Sequence, residues 1–479
     1  MAAERGEMPS AVEAADAIRQ GSLRASDLLE ECLAAIDERN GELNAFVHID
    51  AASARAAAAA VDDAVAAGRA DDLGPLAGVP FGVKDLEDCA GMPTSHGSML
   101  YRDGPPVPAD SIHVARLRAA GAIPIGKTAA PEFGTLQFTR SVAWGTTRNP
   151  WDLSRTPGGS SGGSAAAVSA GLVPFATASD GGGSTRTPAA FTGLVGMKPS
   201  YGRIPSPTAD PAQTAVFGVE VKTVADAARH LDITAGPDDL DRASLPPPHL
   251  SYEAAVESLD VSGVRIGWSA DLGFAVVDPE VVDLCHAAAE ALARAAGVAL
   301  IDYDVHLTDP VRTWLTIGSV TPWVNIREKE HYPGRLGDLT PYVQTVLEGS
   351  YERPIRTLVP GLRRRLQLEA DTAAIFRDVD VLLSPATAIT AFAAEGPSPT
   401  TIAGVDLTEV FGAAAGAMSV PFAMLANLCW NPACSVPAGT ASDGLPVGLH
   451  LMGRRHEDEV VLRLARLLEI AAPWPRQAP

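Results

Sequence analysis

Lysine is scarce in this chain of 479 residues. Only five of its 37 basic residues are lysines, so arginine supplies most of the positive charge. Acidic residues outnumber basic ones by 58 to 37, which gives a formal net charge of −21 at pH 7. Because such a surface repels the phosphates of nucleic acids and anionic lipids, neither is an expected partner. The few lysines are candidates for specific roles, and they are Lys84, Lys127, Lys198, Lys222 and Lys329.

Cysteine is also infrequent, and the five cysteines form no C-x-x-C pair. Their odd number and wide spacing argue against a disulfide framework and against a zinc site, so we expect reduced, buried thiols. No apolar run reaches the ~18 residues that are needed to span a bilayer. The first residues lack the basic and apolar regions of a signal peptide. These absences favour a cytoplasmic protein.

The distribution of apolar residues indicates an α/β protein. Hydrophobic residues make up 46% of the chain and charged residues 20%, which is enough apolar material for a large buried core. Length alone favours about three domains of ~150 residues, although one large α/β sheet can also hold such a chain. The N-terminal part carries helical patterns, with Ser10 as the predicted N-cap of the first helix, Ser26 of the second, and an alanine-rich helix over about 50–67.

Further along the chain, short apolar runs alternate with helical segments, which is typical of layers around a buried sheet. PLAGVPFGVKD, AIPIGKT and LVPFATASD are predicted strands. The PPPHL stretch at 246–250 marks a change of composition, after which VRIGW is a predicted strand and Asp278 caps a long helix. We predict a helical cap over 302–375. SVPAG and LPVGLHLMG return to strand patterns before a closing amphipathic helix.

Two glycine- and serine-rich segments lie close together within the α/β pattern. Residues 157–164 read PGGSSGGS, and residues 180–188 read DGGGSTRTP. Either segment alone would fit a flexible linker. A linker, however, is not followed at once by an alanine-rich helix and does not lie between buried strands. We therefore interpret the two segments as parts of one site.

Phosphate sites and histidine-based triads fit these segments poorly. A phosphate-binding loop needs a lysine after its last glycine, and neither segment has one. The adjacent glycines and the early Pro188 do not match the G-x-G-x-x-G fingerprint. Residues 158–162 fit the G-x-S-x-G nucleophile elbow, but no apolar strand precedes them. A serine nucleophile with a lysine base is the favoured interpretation.

Lys84 is the candidate base because it ends the apolar run GVPFGV. Burial of an ammonium group lowers its pKa from ~10.4 toward neutrality, where a lysine can accept a proton. An ion pair with the neighbouring Asp85 is the alternative role. Adjacent side chains of a strand point to opposite faces, which argues against that pair.

The order of these motifs resembles the amidase signature family over about residues 10–470. The resemblance is carried by PLAGVPFGVKD, GAIPIGKT with PEFG, NPWD with RTPGGSSGGSAAAV, SDGGGSTRTPAAFTGLVGMKPSYGR, and NPACSVPAG with GLPVGLHLMG. It implies one amidase domain over 1–479, a single large α/β/α sandwich with a mixed, mostly buried β-sheet and a helical cap region. Its expected parts are N-terminal helices (1–70), a signature core (75–245), a cap with peripheral sheet (246–400) and a return to the core (401–479).

The resemblance also implies a Ser-cisSer-Lys triad. Lys84 would be the base, Ser160 the cis-serine relay and Ser184 the nucleophile that forms an acyl-enzyme. A cis peptide bond is expected between Gly159 and Ser160. Such an enzyme needs no metal and no other cofactor.

Further site residues follow from the same motifs. Four consecutive backbone N–H groups are expected to form the oxyanion hole, and they belong to Gly181, Gly182, Gly183 and Ser184. Three side chains are expected to support the network by hydrogen bonding, namely Ser161, Asp180 and Arg186.

Three positions depart from the common family pattern. Gly181 stands where many members carry a side chain, Thr192 replaces a common cysteine, and Ala129 replaces a common asparagine. The first two departures resemble bacterial amidases that act on aryl or xenobiotic amides, a group with urethane-cleaving members.

The resemblance implies a hydrolase that cleaves C–N bonds of uncharged amides, anilides or carbamates (urethanes), with an esterase side activity. The alternative is the A subunit of a glutamyl-tRNA amidotransferase, which shares the triad and releases ammonia from glutamine. The acidic charge and the altered glycine segment lean against that alternative. A non-catalytic binding module is disfavoured because all three triad residue types are present. The expected partner is a small amide or carbamate, without nucleic acid or membrane, and a homodimer is compatible with this interpretation.

Four segments are candidates for contact with the substrate, and they are 89–104, 132–146, 203–220 and 310–345. Their larger apolar side chains could line the site or pack in the core, and these are Met92, Met99, Tyr101, Phe138, Trp314 and Trp323.

Overall fold

The computed structural model describes residues 7–207, 210–326 and 328–479. Its centre is a mixed sheet of eleven strands. In chain order the strands are β1 (Phe46–Ile49), β2 (Pro80–Lys84), β3 (Ile123–Thr128), β4 (Phe175–Asp180), β5 (Val195–Lys198), β6 (Val216–Val221), β7 (Ile266–Trp268), β8 (Leu300–Asp302), β9 (Val381–Pro385), β10 (Ala433–Thr440) and β11 (Pro446–Gly453).

The strands lie in the order β1-β3-β2-β4-β6-β5-β10-β11-β9-β7-β8 across the sheet. Two groups are parallel, β3-β2-β4 and β9-β7-β8, and the remaining neighbours are antiparallel. Two short hairpins lie outside the sheet, Arg140–Ser141 with Gly145–Thr146 and Thr401–Ile402 with Val405–Asp406.

Helices cover both faces of the sheet. Ala190 packs on β11 at Gly448, whereas Val461 packs on the same strand at Gly453. These two glycines are five residues apart and therefore face opposite sides, so the predicted α/β/α layering is confirmed. No helix in the part of the chain that the structure describes is both long and apolar enough to cross a bilayer.

The α-helices are α1 (Ala11–Arg19), α2 (Ala25–Leu43), α3 (Ala51–Ala66), α4 (Ile112–Ala119), α5 (Gly162–Ser169), α6 (Arg186–Thr192), α7 (Val224–Thr234), α8 (Tyr252–Ser258), α9 (Pro279–Ala296), α10 (Pro310–Gly318), α11 (Pro322–Asn325), α12 (Glu328–His331), α13 (Pro341–Tyr351), α14 (Val359–Asp378), α15 (Thr408–Phe411), α16 (Met424–Leu428) and α17 (Asp458–Ala471). Short 3₁₀ helices lie at Ala70–Asp72, Glu132–Gly134, Leu336–Asp338, Ile355–Leu358 and Gly412–Ser419.

Capping explains most of the helix starts. Ser10 forms a capping box with Glu13 at α1, and Asp278 caps α9, both as predicted. The predicted cap of the second helix is wrong, because Ser26 lies inside α2. The Asp62 carboxylate of the next helix accepts hydrogen bonds from the first N–H groups of α2, which takes the place of a local cap.

The two glycine- and serine-rich segments each lead into a helix that lies inside the protein. Every residue of α5 and of α6 is buried. Strands β2, β3, β5 and β6 are also buried along their whole length. Hydrogen bonds from Lys84 to Ser160 and Ser161, and from Ser161 to Ser184, bring the ends of β2 and β4 together with the starts of α5 and α6.

The predicted cap is helical, and it consists of α10 to α14. One part packs on the C-terminal half of the chain through Val311 and Ile317 of α10, which join a second core cluster with Leu368 and Leu425. The other part forms its own small cluster around Val343 and shields the loops that follow β2 and β3.

Candidate active site

Lys84 ends β2 and points its ammonium group into the junction with α5. Its side chain is 1% exposed. Nζ lies 2.8 Å from Ser160 Oγ, 2.7 Å from Ser161 Oγ and 3.0 Å from Ser179 Oγ. Two of these three serines were identified from the sequence, and the contacts show that Lys84 reaches both.

The neighbouring carboxylate does not pair with Lys84. Asp85 points to the other side of the strand, where it accepts hydrogen bonds from Ser95 and lies 3.8 Å from Lys127 Nζ. The alternative ion pair between adjacent residues is therefore wrong, for the reason that strand geometry gives.

Burial lowers the pKa of Lys84 to about 7, and the carboxylates of Asp180, Glu220 and Glu87 only partly oppose this effect. Glu220 is itself fully buried, and burial raises its pKa well above the usual value. This shift weakens the tendency of Glu220 to carry the negative charge that would favour the ammonium form of Lys84. Near neutral pH a substantial fraction of Lys84 is an uncharged amine that can accept a proton.

The peptide bond between Gly159 and Ser160 is cis, as the family resemblance implies. A Cβ atom at Gly159 would lie 2.7 Å from the Leu136 carbonyl oxygen and 2.8 Å from the Phe138 nitrogen. Only glycine fits between these two backbone atoms. Ser160 itself is 2% exposed, and its hydroxyl faces Lys84.

Ser184 lies beside this pair on the loop between β4 and α6. The Ser161 N–H donates to the Ser184 carbonyl at 3.1 Å, which joins the two glycine- and serine-rich segments directly. Ser184 is half-buried. Its Oγ makes no hydrogen bond to any residue that the structure describes, so this hydroxyl is not tied to another group.

Residues 181–184 form a glycine-rich loop after β4, which we call the glycine strand, and its backbone is held from two sides. The Gly183 N–H donates to Asp180 Oδ1 at 2.7 Å, so this amide is directed at the carboxylate. The carbonyl of Gly181 accepts a hydrogen bond from the indole of Trp314 at 2.5 Å. Three of the four predicted oxyanion donors, those of Gly181, Gly182 and Ser184, make no hydrogen bond to the residues that the structure describes.

Asp180 and Arg186 form a fully buried, bidentate ion pair behind this strand. Arg186 donates to the two oxygens of Asp180 at 3.0 and 2.9 Å. The carboxylate also accepts the N–H of Thr185 at 3.2 Å. Burial raises the pKa of Asp180, but Arg186 more than compensates and holds it far below the usual range. The Asp180 carboxylate, paired with Arg186, shapes the turn that carries Ser184.

Two further residues complete this network and were not identified from the sequence. Asn427 accepts from Arg186 at 2.6 Å and donates to the Asp180 carbonyl at 2.9 Å. His450 Nε2 accepts from Arg186 at 2.8 Å, since the guanidinium can only donate. Asn427 lies on α16 and His450 on β11, each more than 200 residues after Arg186 in the sequence. Ser179, the third omission, immediately precedes Asp180 and could have been inferred from that proximity.

The six side chains predicted to contact the substrate lie in different parts of the structure. Met92 is 1% exposed and belongs to the main core. Tyr101 donates to the Asn325 carbonyl, and Trp323 packs in the small cap cluster. Phe138 packs on Phe392. Met99 is half-buried, and Trp314 is the one of the six that hydrogen-bonds to residues 181–184 within the described part of the chain. Residues 208–209 and 327 of the predicted segments lie outside the described residues.

Glu132 connects the cap to the catalytic region. Its buried carboxylate accepts from Ser98 Oγ at 2.6 Å and from the N–H of Thr340, the residue before α13, at 2.7 Å. Two residues later, a Cβ atom at Gly134 would lie 3.2 Å from Ser160 Oγ. One short segment therefore holds the start of a cap helix and borders the relay serine.

Replacing Glu132 with alanine should loosen this connection. The buried Thr340 N–H would lose its acceptor, at a cost of about 2 kcal/mol. We expect amide hydrogen exchange in α13 to become about 30-fold faster in Glu132→Ala, while Glu132→Gln, which keeps an acceptor oxygen, changes it much less. Unchanged amide hydrogen exchange in the alanine variant would contradict the inference that Glu132 holds the start of α13.

The chain is similar to an acylamidase and to amidotransferase subunits over almost its full length. The family model named Amidase matches residues 27–462. An acylamidase of Rhodococcus erythropolis is 34% identical over 98% of this chain and 97% of its own length. The A subunit of a glutamyl-tRNA(Gln) amidotransferase of a Synechococcus species is 36% identical over 95% and 96%.

A solved structure extends the similarity to the fold. The crystal structure of a bacterial aryl acylamidase of the amidase signature family matches with a TM-score of 0.88 and 28% identity, over 98% of this chain and 97% of that one. With the family model, it accounts for the mixed sheet and for the order of the motifs. The chain belongs to the amidase signature family and is a hydrolase of amides.

Proposed function

We propose that this protein hydrolyses uncharged amides, anilides or carbamates through an acyl-enzyme on Ser184, with Ser160 as proton relay and Lys84 as base. The observation that carries the proposal is the 2.8 Å contact between Ser160 and a fully buried Lys84. A lysine that loses its proton near pH 7 is a base matched to neutral conditions.

The uncharged amine of Lys84 has one lone pair and two N–H groups. The lone pair accepts the proton of Ser160, and the N–H groups donate to Ser161 and Ser179, whose oxygens lie within 3.0 Å. The lone pair and both N–H groups of the amine then each have a partner, and the proton passes from Ser160 to Lys84. This arrangement explains why Ser161 and Ser179 surround the base.

Ser184 completes the relay by rotation about its Cα–Cβ bond. Its backbone is fixed to the relay segment through Ser161, and its hydroxyl has no competing partner among the described residues. In the reacting complex Ser160 takes the Ser184 proton while Ser184 Oγ attacks the carbonyl carbon. The proton held by Ser160 then passes to the leaving nitrogen, the C–N bond breaks, and water hydrolyses the acyl-enzyme.

The negative oxygen of the tetrahedral intermediate would rest on backbone N–H groups of the glycine strand. Gly181, Gly182 and Ser184 supply the candidate donors, since the Gly183 N–H is directed at Asp180. Removing one such donor typically costs about 10²–10³ in rate.

Carbamates fit the same chemistry. The acyl carbon of a carbamate also bears an alkoxy group, so the acyl-enzyme on Ser184 is a carbonate ester. Its hydrolysis yields a half-ester of carbonic acid, which decomposes to alcohol and carbon dioxide. Attack of Ser184 on an ester would expel an alcohol, which takes the proton from Ser160, and would leave the same kind of acyl-enzyme, which is the basis for the proposed esterase side activity.

The similarity to acylamidases supports the choice of substrate, and a panel of substrates tests it. We expect the purified chain alone to turn over a nitroanilide and an aryl carbamate, with kcat/KM for glutamine at least 100-fold lower. Amine and alcohol released from the carbamate should appear in equal amounts. Turnover of glutamine alone would contradict the proposal.

The second candidate is release of ammonia from glutamine as the A subunit of an amidotransferase. It is favoured by the 36% identity to such a subunit over 95% of this chain. In that case the isolated chain would be inactive on anilides and would need partner subunits for efficient hydrolysis. The same panel separates the two functions.

A further inference from the structure

Trp314 reaches from the cap helix α10 onto the glycine strand. Its indole Nε1 donates to the carbonyl oxygen of Gly181 at 2.5 Å. The carbonyl accepts no other hydrogen bond from the residues that the structure describes. Trp314 is half-buried, and the rest of α10 is anchored in the protein by Val311 and Ile317. The orientation of this carbonyl thus depends on a residue 133 positions away.

The bond has a consequence for the N–H on the same peptide unit. In a trans peptide the carbonyl and the following N–H point in opposite directions. When the Gly181 carbonyl faces Trp314, the Gly182 N–H therefore faces away from the indole. Glycine on both sides of this peptide unit leaves its rotation almost free of steric barriers, so a hydrogen bond from outside is needed to fix it.

The packing around the two glycines agrees with this role. A Cβ atom at Gly182 would lie 2.6 Å from the Trp314 ring, so the indole covers this residue directly. A Cβ atom at Gly181 would meet only ordinary contacts of 3.8 Å or more. The lack of room for a side chain explains why residue 182 is glycine, but it does not explain glycine at 181. At 181 the backbone is flexible, and the hydrogen bond from the Trp314 indole fixes its carbonyl.

Other backbone groups of the strand have partners within the core. The Gly183 N–H is held by Asp180, and the Asp180 carbonyl accepts from Asn427. The peptide between Gly181 and Gly182 is the part of the strand whose only described hydrogen bond comes from the cap. Its N–H is also a candidate oxyanion donor.

We infer that Trp314 is a positioning residue, which fixes the Gly181–Gly182 peptide so that the Gly182 N–H serves the oxyanion. The inference rests on the proposed acyl-enzyme function. Docking of α10 then completes the oxyanion hole as well as covering the site. Trp314 acts in the transition state through the backbone, so its N–H should matter more for kcat than for substrate binding.

Trp314→Phe tests this role because phenylalanine keeps an aromatic ring but removes the N–H. We expect kcat/KM for a nitroanilide to fall about 30-fold, mostly in kcat, with KM within threefold of the wild type. An aryl trifluoromethyl ketone, which forms a tetrahedral adduct on a serine, reports the oxyanion site directly. Its inhibition constant should rise by a factor similar to the loss in kcat/KM.

Trp151→Phe is the matched control. The indole of Trp151 also donates to a backbone carbonyl, that of Thr192 at 2.9 Å, but at the far end of α6. We expect this variant to keep kcat/KM and the inhibition constant within twofold. Equal losses in both variants would indicate general destabilisation and overturn the inference, as would a Trp314→Phe enzyme with wild-type kcat and inhibition.

A second variant keeps the test valid if Trp314→Phe does not fold. Gly182→Ala places a methyl group against the indole and should displace it, with a parallel loss of kcat and of ketone affinity. A loss confined to KM would overturn the inference. Failure of the proposed function itself would be seen differently, because the wild-type enzyme would then neither turn over the anilide nor bind the ketone.

Discussion

Ser184→Ala is expected to lower kcat/KM for anilide and carbamate substrates by at least about 10³-fold. Without the hydroxyl there is no atom on which the acyl group can be carried, and only binding and the backbone donors remain. Folding should be unaffected, because Ser184 Oγ makes no hydrogen bond to the residues that the structure describes. The variant should therefore have the melting temperature of the wild type.

Intact-protein mass measures the same prediction without relying on turnover. After incubation with an aryl carbamate, the wild-type chain should gain the mass of the alkoxycarbonyl group, and Ser184→Ala should gain nothing. Ser169→Ala is a suitable control, since Ser169 is a buried serine at the other end of α5 whose hydroxyl bonds the Thr192 carbonyl. An adduct on Ser184→Ala, or turnover within tenfold of the wild type, would refute the assignment of Ser184 as the nucleophile.

The predicted parts of the site came either from a local signal in the sequence or from the family resemblance. The apolar run that ends at Lys84 predicts both a buried strand and a desolvated amine, and the structure has both. The cis peptide before Ser160 was implied by the family resemblance, and it is present. Glycine at 159 is explained by two backbone atoms that no pattern in the sequence identifies.

Two central strands were not predicted. In β6 the apolar alternation is interrupted by Glu220 and followed by Lys222, which look like surface residues in a sequence. Both are completely buried. In β5, only residues 194–197 lie between Gly193 and Lys198. A run of four residues is too short for a hydrophobic period that would distinguish a strand from a loop.

Contacts between distant segments explain the other omissions. His450 lies on β11, four strands away from the β4 strand that carries Asp180, and it meets Arg186 because α6, which begins at Arg186, packs on β11. Asn427 reaches Arg186 from α16, 241 residues further along the chain. The start of α2 is stabilised by Asp62, which comes 37 residues after the first helical N–H. Neither pairing has a local signal, so only the tertiary structure reveals it.

Lys84→Met should reduce kcat/KM by about 10²–10⁴-fold, the usual contribution of a general base. The pH profile is the more specific measurement. Burial lowers the pKa of Lys84 to about 7, and only the uncharged amine can accept the Ser160 proton. Wild-type kcat/KM should therefore rise as the pH increases through about 7 and level off above it, and Lys84→Met should lack this rise.

Lys222→Met is the control for the loss of a buried lysine as such. Burial also lowers the pKa of Lys222, to about 8, but its Nζ donates to the Met8 carbonyl, and Lys222 follows the end of β6 that is remote from Asp180. This variant should keep both the rate and the rise near pH 7. A rise that persists in Lys84→Met, or one that disappears in Lys222→Met, would assign the titration to another group.

Stability gives an independent check on the same lysine. An unfolded lysine keeps its proton up to pH ~10.4, whereas the folded chain releases it near 7, so the unfolded state binds more protons between these values. The contribution of Lys84 to the free energy of unfolding therefore rises with pH in this window and is least favourable below it. Lys84→Met removes that cost and should raise the melting temperature most at and below neutral pH. A catalytic base held uncharged by burial predicts this combination of higher stability and lost activity, whereas a lysine kept for a structural ion pair predicts the reverse.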